Sequence, residues 1–124
     1  MLLILAIAPC LLQAQQSCQQ CNNNYSQCET QEGQEYSNCS NQAQNTYNLC
    51  VQVANATWAN CLNNCGSNGS MCDPACNEKH YGDLDACQGE YGALMSGCSQ
   101  AKYWMEVGCT EAHNACTQGP PPCQ

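Results

Sequence analysis

Cysteines recur at a fixed interval in two series. Cys28, Cys39, Cys50 and Cys61 are each 11 residues apart, and so are Cys65, Cys76, Cys87, Cys98 and Cys109. Eleven residues make almost three turns of an α-helix, so cysteines at this interval return to one side of it. In a β-strand an odd interval would send alternate cysteines to opposite faces. The helical reading is favoured, with successive cysteines about 16.5 Å apart along the axis.

Two such helices joined by a short turn lie antiparallel, and facing residues then have numbers summing to a constant. The pairs Cys21–Cys116, Cys28–Cys109, Cys39–Cys98, Cys50–Cys87, Cys61–Cys76 and Cys65–Cys72 all sum to 137. Cys18 and Cys123 remain; they sum to 141 and pair beyond the helix ends, where the register relaxes. The turn falls at about 65–73, where Gly66, Asn68 and Gly69 tolerate tight backbone and Asp73-Pro74 reads as an N-cap followed by Pro at the first helical position. Helix one is expected over about 25–64, helix two over about 74–115, and a tail over 116–124 ending in Pro120-Pro121-Pro122. The predicted fold is all-α: a long antiparallel two-helix hairpin, coiled-coil-like, stapled by a ladder of disulfides. Each helix would be roughly 60 Å long, giving a rod.

Fifteen cysteines in 124 residues need an oxidising compartment to pair. The chain's start supplies the route. Leu2 to Leu12 is almost wholly apolar and gives way to Gln13-Ala14. Such a run is too short to span a bilayer, which takes about 20 apolar residues, and reads as a signal peptide over 1–14. Its removal takes Cys10 with it and leaves an even number of cysteines, 14, in a single domain over 15–124. The expected product is secreted and extracellular, without membrane attachment after cleavage.

Disulfides are needed because little else holds such helices. Asn, Gln and Ser crowd helix one, while Gly82, Gly89, Gly92, Gly97 and Gly108 fall within helix two; each Gly costs about 1 kcal/mol against Ala. The constant sum sets Ala43 opposite Leu94, Thr46 opposite Tyr91, Val53 opposite Leu84, Glu32 opposite Met105, Glu35 opposite Lys102 and Trp58 opposite Lys79. Small residues such as Ala43, Ala54 and Gly97 let the helices approach to disulfide distance, about 5.5 Å between Cα atoms. Tyr36, Tyr47 and Trp58 also recur every 11 residues. That stripe reads first as packing beside the seam and second as a recognition surface.

Composition and spacing exclude several chemistries. With two basic residues against ten acidic ones and a net charge of −8, the chain lacks the basic patch that nucleic acid requires. A metal centre would gather ligands at one point, whereas the 11-residue interval spreads the thiols along a rod, so no metal or cofactor is expected. No positioned Ser–His–carboxylate set or phosphate loop is present, so no catalytic residues are assigned and the chain reads as non-enzymatic. Four Asn-x-Ser/Thr sequons, at Asn24, Asn38, Asn55 and Asn68, are glycosylation candidates; Asn68, in the turn, is sterically the most open.

The stretch Cys61-x3-Cys65-x6-Cys72-x3-Cys76 resembles the signature of the α-hairpinins, small proteins in which nested disulfides clamp two antiparallel helices. The resemblance implies Cys61–Cys76 and Cys65–Cys72, the same pairs as the constant sum. Known members include antimicrobial peptides, protease inhibitors and channel-blocking toxins, the antimicrobial and channel-blocking ones being basic where this chain is acidic. Two functions are therefore expected. The first is a secreted structural or interaction protein, a rigid acidic rod with protein partners that include its own copies. The alternative is a secreted ligand such as a pheromone-like signal, toxin or inhibitor.

Overall fold

The computed structural model describes residues 16–124; the expected signal peptide at 1–14, with Cys10, lies outside the described residues. Helix α1 runs over Cys18–Cys65, a single 3-10 turn over Gly66–Asn68 follows, and helix α2 runs over Gly69–Gln118. The fold is all-α: two antiparallel helices of 48 and 50 residues, each roughly 70 Å long at 1.5 Å per residue.

Seven disulfides cross-link the helices: Cys18–Cys123, Cys21–Cys116, Cys28–Cys109, Cys39–Cys98, Cys50–Cys87, Cys61–Cys76 and Cys65–Cys72. From Cys21–Cys116 to Cys50–Cys87 the Cα–Cα distance is 5.7 Å at every rung, so the register does not slip along the seam. This spacing is well below the 8–10 Å usual between packed helix axes. Small neighbours make it attainable. The buried residues of α1 are Cys21, Glu32, Ala43, Ala54 and Cys65, and those of α2 are Cys76, Cys87, Cys98 and Cys109. Both sets keep the 11-residue interval. The core of this protein is a line of sulfur and alanine with one carboxylate in it.

Local interactions extend the helices past their expected limits. α1 starts at Cys18 rather than near 25 because Ser17 caps it, its Oγ accepting from the Gln20 amide at 3.1 Å. Its free N–H groups gain another partner when the Cys18 amide donates to the Gln124 carbonyl at 3.0 Å, while the Gln124 amide donates to the Gln16 carbonyl. The tail thus folds back onto the start of α1 beside Cys18–Cys123. α2 continues to Gln118 rather than 115 and stops at Gly119, where a Cβ would lie 2.4 Å from the Ala115 carbonyl oxygen.

The expected turn over 65–73 is a correction. It occupies only Gly66–Asn68, and Pro74 lies inside α2 instead of at its first position. Cys65–Cys72 is the reason: joining residues seven apart at 5.5 Å leaves no room for a long loop. Pro74 forfeits one helical hydrogen bond near the helix start, and rungs on both sides hold the backbone there. Gly66 makes the reversal at φ 56°, ψ −133°, which side-chain-bearing residues rarely adopt.

Polar residues are tolerated within α1 because they bond along it. Thr30, Ser40 and Thr46 hydroxyls donate to the carbonyls of Ser26, Tyr36 and Gln42, each four residues back. Gln31 with Glu35, and Gln44 with Asn48, add side-chain hydrogen bonds at the same spacing.

Candidate interaction faces

The disulfide seam divides the rod into two faces. In an α-helix, positions three before and three after a given residue lie on opposite sides of it, about 60° away each. Tyr47 precedes Cys50 by three residues and Val53 follows it by three. One face is therefore aromatic and the other is not.

On the aromatic face, the stripe Tyr36, Tyr47 and Trp58 gains a fourth member, Tyr25, and meets a matching series on α2. Tyr25 lies 4.8 Å from His113 between ring centroids, Tyr47 lies 5.2 Å from Tyr91, and Trp58 stacks on His80 at 4.7 Å. The Lys102 ammonium sits 5.2 Å from the Tyr36 ring centroid, over its face. His80, Tyr91, Lys102 and His113 are themselves 11 apart, and all four pairs sum to 138. The stripe is thus engaged across the helices in a second ladder beside the first.

This register corrects three expected facings. Trp58 meets His80 and donates from Nε1 to Asn77 Oδ1 at 2.8 Å, while Lys79 pairs within α2 with Asp83 at 2.6 Å. Tyr91 meets Tyr47 rather than Thr46, and Lys102 covers Tyr36 while Glu35 accepts from Gln31. The cause is side-chain direction. Side chains lean toward the N-terminus of their own helix, so in antiparallel helices long ones lean past each other and meet one residue beyond the cysteine register.

Two rungs of the aromatic ladder carry an added amide. His80 Nε2 is 2.8 Å from Asn55 Oδ1, and His113 Nε2 is 2.9 Å from Asn22 Oδ1. These sets are related by three repeats of 11. At the second, Tyr25 has its phenol pKa raised above 10.0, chiefly by its hydrogen bond to the Glu29 carboxylate and against the opposing effect of Thr110. A cavity of about 160 Å³ adjoins Tyr25 and His113.

On the opposite face a groove of about 550 Å³ runs over the Cys50–Cys87 rung, lined by Thr46, Leu49, Val53 and Thr57 from α1 and by Lys79 and Asp83 from α2. Leu49 and Val53 are 61% and 66% exposed. A second groove of about 570 Å³ lies along α1, lined by polar residues that include Gln27, Gln31 and Glu35. On α2, Tyr103 and Trp104 form an exposed edge-to-face pair with centroids 5.2 Å apart.

The remaining candidates lie apart from these faces. Asn24, Asn38 and Asn55 are exposed on α1, and Asn68 ends the 3-10 turn. Asn55 is held by His80. The sulfurs of Cys61, Cys65 and Cys76 come within 4.8 Å of one another because two rungs adjoin. All three are bonded in disulfides and lack the thiolate that binds metal. Among the described residues no helix is long and apolar enough to cross a membrane.

The hairpin matches an extended and atypical hairpinin-like pattern, two antiparallel helices held by nested disulfides. Comparison with protein-family models, with curated proteins and with solved structures finds no match for this chain.

Proposed function

We propose that this chain is a secreted, non-enzymatic rod that takes part in extracellular assembly through protein–protein contacts. The observation that carries the reading is the stapled hairpin itself: helices of 48 and 50 residues locked by seven disulfides at nearly constant spacing. Such a rod keeps its length and presents side chains at a fixed axial repeat. Rigidity of this kind lowers the entropy that association must overcome.

Two further features support the reading. Seven disulfides suit an oxidising compartment, and the apolar run at Leu2–Leu12 is the sort of segment that directs a chain there. The larger grooves are open channels on helix surfaces, a form suited to packing against another protein more than to enclosing a reaction. The sequons at Asn24, Asn38, Asn55 and Asn68 fit a secreted glycoprotein.

The test is expression of the full chain in secretory cells. We expect it in the medium, without free thiols and larger than a monomer by size-exclusion chromatography with light scattering. Retention inside the cell with free thiols, or a strict monomer in the medium, would overturn the proposal.

A further inference from the structure

The 11-residue repeat provides an internal control for what the fold itself requires at each position. At the positions equivalent to Leu49 the chain places Gln27, Asn38 and Asn60; at those equivalent to Val53 it places Gln20, Gln31, Gln42 and Asn64. All of these are exposed. The hairpin therefore accommodates Asn or Gln at both sites, and Leu49 and Val53, 61% and 66% exposed, are departures that folding does not explain. A second departure lies on α2. The positions equivalent to Trp104 are Gly82, Ala93 and Ala115, with only Met71, beside the turn, also large. Trp104 is 61% exposed and braced edge-to-face by Tyr103.

The two departures have complementary shapes. Leu49 and Val53 line a groove of about 550 Å³. Tyr103 and Trp104 follow Cys98 by five and six residues, about 140° and 240° around the helix, and so project from the flank of α2 away from the seam. Their charges are also complementary. The groove contains Lys79, one of the two basic residues in the chain, while Glu106 and Glu111 adjoin Tyr103.

We propose that the Tyr103–Trp104 knob of one chain seats in the Leu49–Val53 groove of a second copy, with Lys79 facing the Glu106 and Glu111 carboxylates. This inference rests on the assembly reading above and names the surfaces that perform it. The contact is heterologous: each rod uses its knob on one neighbour and its groove on another. Such contacts propagate into open-ended chains instead of closing as a symmetric dimer.

The repeat also supplies the test substitutions, since each introduces a residue that the fold already carries at an equivalent position. Trp104→Ala removes the knob, and Leu49→Asn with Val53→Gln removes the groove. Circular dichroism and non-reducing peptide mapping check that each variant keeps its helices and disulfides. By sedimentation velocity the oxidised wild-type chain is expected to grow in mass with concentration and without a fixed stop. Either variant alone should lose about tenfold or more in association, the loss typical of a truncated aromatic anchor. Mixing the two variants should restore a single contact and stop at dimers.

Association of each variant at wild-type strength would overturn the knob-and-groove pairing while leaving the assembly reading intact. A wild-type chain that stops at dimers would do the same. A wild-type chain that stays monomeric at every concentration would overturn both.

Discussion

Trp58 lies parallel to His80, with centroids 4.7 Å apart and planes 15° from parallel, and each ring is also fixed by an amide of the opposite helix. Asn77 on α2 accepts from the indole, and Asn55 on α1 bonds the imidazole. The four side chains form a closed polar–aromatic rung beside Cys61–Cys76. Its coupling should be measurable. In a double-mutant cycle of Trp58→Ala and His80→Ala, read by denaturant unfolding of the oxidised chain, we expect about 0.5–1.5 kcal/mol of interaction energy. Additive effects of the two substitutions would show that the rings merely lie side by side.

Tyr25 occupies the equivalent position three repeats earlier, and its phenol is held above the usual 10.0 by hydrogen bonding to the Glu29 carboxylate. A raised acid pKa means that the fold prefers the neutral phenol. The associated stability is complete below 10.0 and is lost as pH climbs through the higher folded value. Ultraviolet titration of wild type against Tyr25→Phe should isolate one phenolate that forms above the usual range. Glu29→Gln should bring that midpoint down; an unchanged midpoint would show that Glu29 is not the cause.

How much of this was legible depends on how position is encoded. The disulfide ladder could be read because residue number measures height along a helix, and a constant sum is the arithmetic of antiparallel pairing. The aromatic ladder obeys the same arithmetic one residue later, yet it was read as three residues on one helix. Tyr25 and the partners His80, Tyr91, Lys102 and His113 mix residue types, so no single letter marks the series. The helix ends were less legible still. Asp73-Pro74 is a strong local start signal, but the short loop closed by Cys65–Cys72 overrides it from outside the local sequence. The knob and groove appear only when exposure is compared across equivalent repeats.

Glu32 is the irregular member of the buried series, 6% exposed at a position where two other repeats place Ala43 and Ala54. No buried side-chain oxygen or nitrogen lacks a partner among the described residues, so its carboxylate is not sealed off alone. Its carbon stem nevertheless occupies a site that alanine fills elsewhere. Glu32→Ala should therefore be neutral or stabilising, by up to about 1 kcal/mol, since holding a carboxylate near a low-dielectric seam carries a desolvation cost. Thermal unfolding of the oxidised protein measures it. A loss above about 2 kcal/mol, the range of a large core truncation, would mean that the glutamate stem supports the seam as packing.

The seam should fail collectively and not rung by rung. Cys39–Cys98 is flanked by Cys28–Cys109 and Cys50–Cys87, each 11 residues away on both helices. An isolated disulfide contributes about 2–4 kcal/mol by restricting the unfolded chain, and more for a longer loop. Here the flanking rungs already confine that chain, so Cys39→Ala with Cys98→Ala should cost less than the isolated value and leave helical circular dichroism intact. Complete reduction removes every such constraint at once. What remains is α1 rich in Asn, Gln and Ser and α2 interrupted by five interior glycines from Gly82 to Gly108, with cysteine and alanine as almost the only buried side chains. Neither helix has the propensity or the apolar stripe to persist alone. Helical dichroism should collapse on full reduction in non-denaturing buffer. If it survives, the helices are held by something other than the sulfur seam.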